Sequence, residues 1–281
     1  QRNGDTAYPF RQDSNFWYLT GIEVPEAVLV MDKSNEYLII PDLSHTDEII
    51  GAPYDYQAIA DRSGISTILR AKDGWKQLES RLKKVKHAAT LSSAPTYVGH
   101  AGFYSNPARR RLIKRIKTIN PNLELLDLRK HMAVQRMVKQ PGELTAINKA
   151  IDITSQAIGN IRDNLSSYEH EYEIEADITR TFRAQGAMGH AFAPIVAGGG
   201  NTCHLHYQDN NQTLVKKRLL YVDVGAEVEH YSADITRTYF LVPPSKREQA
   251  VYNAVEEVAA FALSNLKPKI TLRDNEKLVE H

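Results

Sequence analysis

One acidic residue set inside an apolar strand limits this chain more than any other feature. Leu219-Leu220-Tyr221-Val222-Asp223-Val224 reads as a strand apolar enough to be buried on both faces, and Asp223 interrupts it. A buried ionised carboxylate is costly unless something compensates it. Eleven residues later Asp234 opens another strand, Asp234–Leu241. The turn at Gly225 and a short middle strand, Glu227–Tyr231, are expected to bring the two acids side by side. Two carboxylates that close cannot both ionise without a cation between them. A hard divalent metal, or two metals bridged by one Asp, would resolve the conflict. Spacing alone leaves a blander alternative open, in which Asp223 caps a turn and Asp234 pairs with Arg237 or another arginine.

The words around Asp234 occur twice. Ala-Asp-Ile-Thr-Arg-Thr stands at 176–181 and again at 233–238. In the first copy Ile174, Ile178 and Phe182 form an i, i+4, i+8 stripe, so Asp177 is an ordinary position on an amphipathic helix. In the second, strand alternation puts Asp234, Thr236 and Thr238 on one face and Ile235, Arg237 and Tyr239 on the other. Upstream, Gly198-Gly199-Gly200-Asn201 is a flexible turn leading into Cys203-His204-Leu205-His206-Tyr207. Alternation would place His204 and His206 on one face. Either could donate to a substrate carbonyl or stabilise a developing charge, and either could equally be a surface or satisfied core histidine.

The rest of the chain is of mixed α/β texture. Ala27–Met31, Tyr37–Ile40 and Leu123–Leu128 read as strands, and Trp75–Val85 and Ala108–Ile119 as helices. A seam of Leu144, Ile147, Ile151, Thr154, Ile158, Ile161 and Leu165 predicts one long helix. A second helix, Tyr172–Gln185, stops at Gly186. Ser245 and Glu248 form a capping box that opens a third, running to about Leu263. Thr271-Leu272-Arg273-Asp274 opens a last helix, inside which the sequence ends. The change of texture near Lys139-Gln140-Pro141-Gly142 divides the chain into a domain of residues 1–128, a linker of 129–141 and a domain of 142–281.

Composition narrows the function classes. A net charge of +1 gives no bulk attraction to nucleic acid or anionic membranes. The dense basic stretch from Arg109 to Lys117 is interleaved with Leu112, Ile113 and Ile116, which reads as a solvated helix face rather than a phosphate-binding patch. No apolar run approaches the ~18 residues of a membrane span. A lone Cys203 fits a reducing, cytoplasmic setting.

Leu205-His206-Tyr207, Val222-Asp223-Val224-Gly225-Ala226 and Ala233-Asp234-Ile235-Thr236-Arg237-Thr238, at these spacings, resemble the Xaa-Pro aminopeptidase branch of the pita-bread metallopeptidases. Tyr8 to Gly21, followed by Pro25-Glu26-Ala27, looks like that family's N-terminal domain signature. The resemblance implies a creatinase-like N-terminal domain followed by a pita-bread catalytic domain of two pseudo-symmetric halves, of which this chain would hold the first. It implies two divalent ions, usually manganese, carried by two Asp, one His and two Glu. Asp223 matches the first Asp ligand, Asp234 the bridging one, His206 a substrate-side histidine that is not a ligand, and Thr236 a residue holding a ligand carboxylate in place. His204 matches no family role. A metal-bridging hydroxide would attack the carbonyl of peptides with proline in second position, with His206 stabilising the tetrahedral intermediate. The remaining His and two Glu would lie beyond the residues given, and both ends look trimmed, so this chain by itself is expected to bind metal weakly or not at all and to be inactive. The resemblance also implies a dimer or tetramer. A prolidase acting on Xaa-Pro dipeptides, or a non-catalytic pita-bread binding protein, remains as an alternative.

Overall fold

A computed structural model describes residues 9–45, 53–94, 100 and 107–280, together with the backbone of 2–3 and 6–7. Tyr8 of the N-terminal signature and His281 lie outside the described residues. The chain divides into two compact units, Gln1–Lys139 and Gln140–His281.

The first unit begins with the short pair Arg2–Asn3 (β1) and Thr6–Ala7 (β2). Helix Ser14–Thr20 (α1) starts where the Asp13 carboxylate accepts the amides of Asn15 and Phe16 at 3.0 and 3.1 Å, and ends at Gly21 with φ +65°. Val28–Met31 (β3) pairs antiparallel with Glu36–Ile40 (β4) across a turn that Asp32 closes on the amides of Ser34 and Asn35. Ile68–Arg70 (β5) joins β4 in parallel. As the central strand, β4 divides its side chains between two cores by its period of two. Leu38 and Ile40 pack with Ile22, Val24, Ile59 and Ile65, while Tyr37 and Ile39 pack with Leu78, Leu82, Ile116 and Leu123. Helices Tyr56–Ser63 (α2), Ala71–Leu82 (α3), Ala108–Ile119 (α4) and Arg129–Met137 (α5), with the parallel pair His87–Thr90 (β6) and Glu124–Asp127 (β7), complete the unit. Arg109, Arg111, Arg115 and Lys117 of α4 are engaged within it. Arg111 meets Glu26 at 2.9 Å, and the Arg115 guanidinium lies 3.4 Å over the Trp75 ring. In α5, Arg136 donates to the Asn15 side chain at 2.8 Å.

The second unit opens with Pro141–Asp163 (α6), where the Gln140 amide donates to the Glu143 carboxylate at 2.8 Å in a capping box. Its buried stripe is Ala146, Ala150, Ile153, Thr154, Ala157, Ile158 and Ile161, whereas Leu144 and Ile151 are exposed. The seam expected from the largest apolar residues is therefore rotated. Small alanines let the helix close on its neighbours, and dispersion contacts depend on approach as well as on side-chain size. Glu171–Ala184 (α7) buries Ile174, Ile178 and Phe182. Gly186, at φ +80°, follows its end.

Against these helices lies a sheet in the order β13-β10-β9, made of Ile195–Gly198 (β9), Leu219–Val224 (β10) and Ile235–Phe240 (β13). A second sheet, in the order β12-β11-β8, is made of Gly189–His190 (β8), Ala226–Val228 (β11) and Tyr231–Ser232 (β12). The expected middle strand Glu227–Tyr231 is thus a hairpin. Glu229 and His230 take φ values of +48° and +63°, which turns the chain back on itself in two residues. The hydroxyl of buried Thr154 accepts the Ala226 amide at 2.9 Å and ties α6 to the start of that hairpin. Ser245 opens Lys246–Asn265 (α8) with the predicted capping box, and Leu272–Glu280 (α9) follows.

Candidate functional site

Strand β10 sets the site through its pleat. Leu220, Val222 and Val224 are fully buried in the core with α6 and α7, while Tyr221 and Asp223 face the other way and are only half-buried. The expectation of a strand buried on both faces is therefore corrected: the strand alternates, and Asp223 keeps contact with solvent. Its partner across the ladder is Thr236, not Asp234. The Thr236 hydroxyl donates to Asp223 Oδ1 at 2.9 Å, and the Tyr221 hydroxyl lies 3.5 Å from Oδ2. Asp234 precedes β13 by one residue and Thr236 by two, so it stands diagonally from Asp223 on the same side of the pleat. The two carboxyls are near enough for the charge of Asp223 to act on Asp234. Arg237 donates to the Thr236 carbonyl at 2.7 Å, and among the described residues no arginine pairs with either acid.

Gly225 makes this arrangement possible. A Cβ built there would overlap the Ala233 carbonyl and come within 3.1 Å of the Phe192 ring. The chain leaving Asp223 thus runs directly against the chain arriving at Asp234.

Burial and then the charge of Asp223 raise the Asp234 carboxyl above its ordinary value. Asp234 is an exposed residue, so the effect is a direction rather than a large energy. The native state holds this proton more tightly than the unfolded chain does. Stability therefore declines as pH climbs from the ordinary carboxylate value through the raised one, and the penalty persists above it. In metal-free buffer, Asp234→Asn is expected to melt higher than the wild type at pH 7, with the gap closing near pH ~3. Thermal melts at both pH values check this; a gap that does not change with pH would mean the acids do not interact.

The imidazoles sit on a loop, not a strand. Gly199–Cys203 forms a 3-10 turn, the His204 amide donates to Asn201 O at 3.0 Å, and the Tyr207 amide donates to His204 O at 3.2 Å. The expected alternation of His204 and His206 fails because hydrogen bonds within the loop replace a strand partner. Both histidines are exposed, and Leu205 between them is 79% exposed. The loop folds back along the edge of β9, whose Ile195 lies beside Asp223. Asn210, buried, accepts the Val196 amide at 2.9 Å and donates to the Pro194 carbonyl at 2.9 Å. No hydrogen bond or ion pair among the described residues joins either histidine to the acids.

Glu171 escaped the sequence reading. It looked like an ordinary charge in the first turn of a helix, yet it is fully buried beneath the histidine loop. Nothing local distinguishes it from Glu169 or Glu173. Asp177, in the first copy of the hexapeptide, accepts the Tyr168 hydroxyl at 2.6 Å and Arg180 at 3.3 Å, a structural pairing away from the Asp223 pair.

Asp223 and Asp234 offer hard oxygen ligands, close together and open to solvent on one side, which suits a divalent cation. Among the described residues, however, no group of three or more His, Cys, Asp or Glu could hold a metal. No described helix is long and apolar enough to cross a membrane.

Both units of the chain match known proteins. Residues 145–281 match the model of metallopeptidase family M24, and residues 1–90 match that of the aminopeptidase P N-terminal domain. The chain is 28% identical to the Xaa-Pro aminopeptidase of Escherichia coli, over 95% of this chain and 62% of that protein. It is 30% identical to that of Haemophilus influenzae, over 95% and 61%. Among solved structures, proline aminopeptidase P II from Yersinia pestis superposes with a TM-score of 0.79 at 28% identity, over 99% of this chain and 65% of that one. Pseudomonas aeruginosa aminopeptidase PepP gives 0.82 at 26%, over 99% and 64%. The chain thus spans less than two thirds of the length of these relatives. Asp223 and Asp234 lie in the segment matching the peptidase family, and residues 1–90 match the companion N-terminal domain, so over both units the chain resembles the M24 metallopeptidases of the aminopeptidase P kind.

Proposed function

We propose that this chain carries part of the catalytic apparatus of an Xaa-Pro aminopeptidase, which removes the N-terminal residue from peptides with proline in second position. The observation that carries the reading is the neighbouring pair Asp223, on β10, and Asp234, one residue before β13, inside the segment that matches family M24. That family implies divalent metal ions. When bound, such an ion polarises a scissile carbonyl and makes water a better nucleophile at neutral pH. Asp223 and Asp234 would hold it. Thr236 fixes the orientation of Asp223 through its 2.9 Å hydrogen bond, so the carboxylate need not search for its binding geometry. His206, exposed at the crest of its loop, would donate to the carbonyl oxygen as negative charge develops there.

Manganese as the ion, a homo-oligomer of two or four chains and a cytoplasmic setting belong to the same reading. The single cysteine, Cys203, supports the last of these. The first discriminating experiment is hydrolysis of Xaa-Pro-Yaa peptides and Xaa-Pro dipeptides by the protein as its gene encodes it. Cleavage of the longer peptides supports the proposal, cleavage of dipeptides alone assigns a prolidase, and cleavage of neither defeats the peptidase reading.

For the 281 residues by themselves, two carboxylates leave most of a divalent ion's coordination to water. Titration calorimetry with Mn²⁺ is expected to give a Kd of roughly 10⁻⁴ M or weaker. A sub-micromolar value would reveal ligands beyond Asp223 and Asp234 and refute the expectation.

A further inference from the structure

Glu171 is a fully buried carboxylate on the first turn of α7. Burying an ionised acid is unfavourable unless its oxygens are fully occupied. Here both oxygens are occupied, and by a single segment of chain. Oε1 accepts the Gly198 amide at 2.8 Å and the Asn201 side chain at 3.1 Å. Oε2 accepts the Tyr207 hydroxyl at 2.8 Å and the Gln212 amide at 2.9 Å. The Glu171 amide in turn donates to the Gln212 carbonyl at 3.0 Å. One turn further along the same helix, Glu175 accepts Asn210 at 2.8 Å.

The order of these contacts along the chain is what matters. Asn201 and Tyr207 bracket the exposed crest His204-Leu205-His206, and the two anchors rest on the two oxygens of one carboxylate. The distance between those oxygens is set by covalent geometry, so the feet of the crest have little freedom to separate. A merely space-filling side chain would leave that spacing open. Apolar packing can often replace a buried charge without loss of stability, so the fold by itself does not require an acid here.

We infer that Glu171 is a positioning residue, whose carboxylate holds the loop of residues 198–212 in one geometry and so aims the His206 imidazole. The importance of that aim rests on the proposal that His206 acts on substrate, but the clamp can be tested without any substrate. Cys203 is the only cysteine in the sequence and is exposed beside the crest, so a trifluoromethyl tag there gives one fluorine resonance that reports on the loop.

The test compares Glu171→Gln with Ile178→Val, a core change in the same helix that weakens the fold without touching the loop. In Glu171→Gln, amide hydrogen exchange at Gly198, His204, Tyr207 and Gln212 is expected to accelerate about tenfold or more relative to the β10 and β13 ladder amides. The fluorine line should broaden or split. In Ile178→Val the loop and ladder amides should change together and the line should stay single. Should Glu171→Gln fail to fold, Tyr207→Phe removes one donor and is expected to loosen His204 and Tyr207 selectively by a few-fold. Exchange that is unchanged, or that rises equally in loop and ladder, would overturn the clamp. Neither result bears on the peptidase reading, which stands or falls on peptide hydrolysis.

Discussion

Gly225→Ala is expected to destabilise the second unit by at least ~3 kcal/mol, a fall in melting temperature of roughly 10 °C, or to prevent it folding. The reason is steric. The added methyl would occupy the space of the Ala233 carbonyl, which is backbone and can move only if the β10–β11 corner opens. That corner is also what places Asp223 near Asp234, so the same change should abolish the raised proton affinity of Asp234. Gly159→Ala makes the contrast. Nothing lies within 4 Å of the position a Cβ would take at Gly159, in the last third of α6, so alanine there should be neutral or stabilise by up to ~1 kcal/mol. Thermal and denaturant melts of the two variants check both statements. A Gly225→Ala protein as stable as the wild type would show that the strands do not approach as described.

Asp234→Asn is expected to lower kcat/KM for Xaa-Pro-Yaa hydrolysis by ~10³-fold or more on the proposed reading. A ligand carboxylate supports several kcal/mol of transition-state stabilisation, and each ~1.4 kcal/mol is tenfold. His206→Ala should lower kcat by ~10²–10³-fold with little change in KM, as loss of a donor to the developing oxyanion does. The repeated hexapeptide supplies the control. Asp177→Asn makes the same substitution in the same six-residue word and is expected to leave kcat/KM within about twofold, while costing about 1 kcal/mol of stability through its hydrogen bond from Tyr168. Steady-state kinetics on the protein as its gene encodes it reads all three. Equal losses from Asp177→Asn and Asp234→Asn would remove the basis for assigning Asp234 to the site.

Much of the site's neighbourhood could be read without coordinates, for reasons that differ from residue to residue. The capping box at Ser245 and Glu248 is a contact three residues apart, so sequence spacing determines its geometry. The central strand β4 was legible because a run of apolar residues buried on both faces has few other uses. Strand β10 was legible as a strand, but its depth was not. Alternation cannot say whether a second layer covers the outward face, and Tyr221 with Asp223 remain half-exposed. The expected α6 seam holds at Thr154, Ile158 and Ile161 and departs at exposed Leu144 and Ile151, because the buried stripe is completed by the small residues Ala146, Ala150 and Ala157, which a search for large apolar residues does not find. Alternation predicts one face for His204 and His206, whereas short-range hydrogen bonds bend that segment into a turn.

The hexapeptide marks the boundary between the two kinds of information. Six identical residues form helix at 176–181 and enter a strand at 235–238, and their neighbours on either side were enough to tell which, since the apolar period differs. Sequence also marked Asp223 as a charge in an apolar strand and Asp234 as its possible companion, while leaving separate roles for the two open. Only the tertiary structure decided that Asp223 faces Thr236 while Asp234 stands diagonally beside it, that Gly225 admits the close approach, and that Glu171 beneath the loop satisfies four donors. Each of those depends on segments meeting from eight to forty-one residues apart. Contacts of that kind leave no local signature, since a glutamate that will be buried by a distant loop has the same neighbours in sequence as one that will face water.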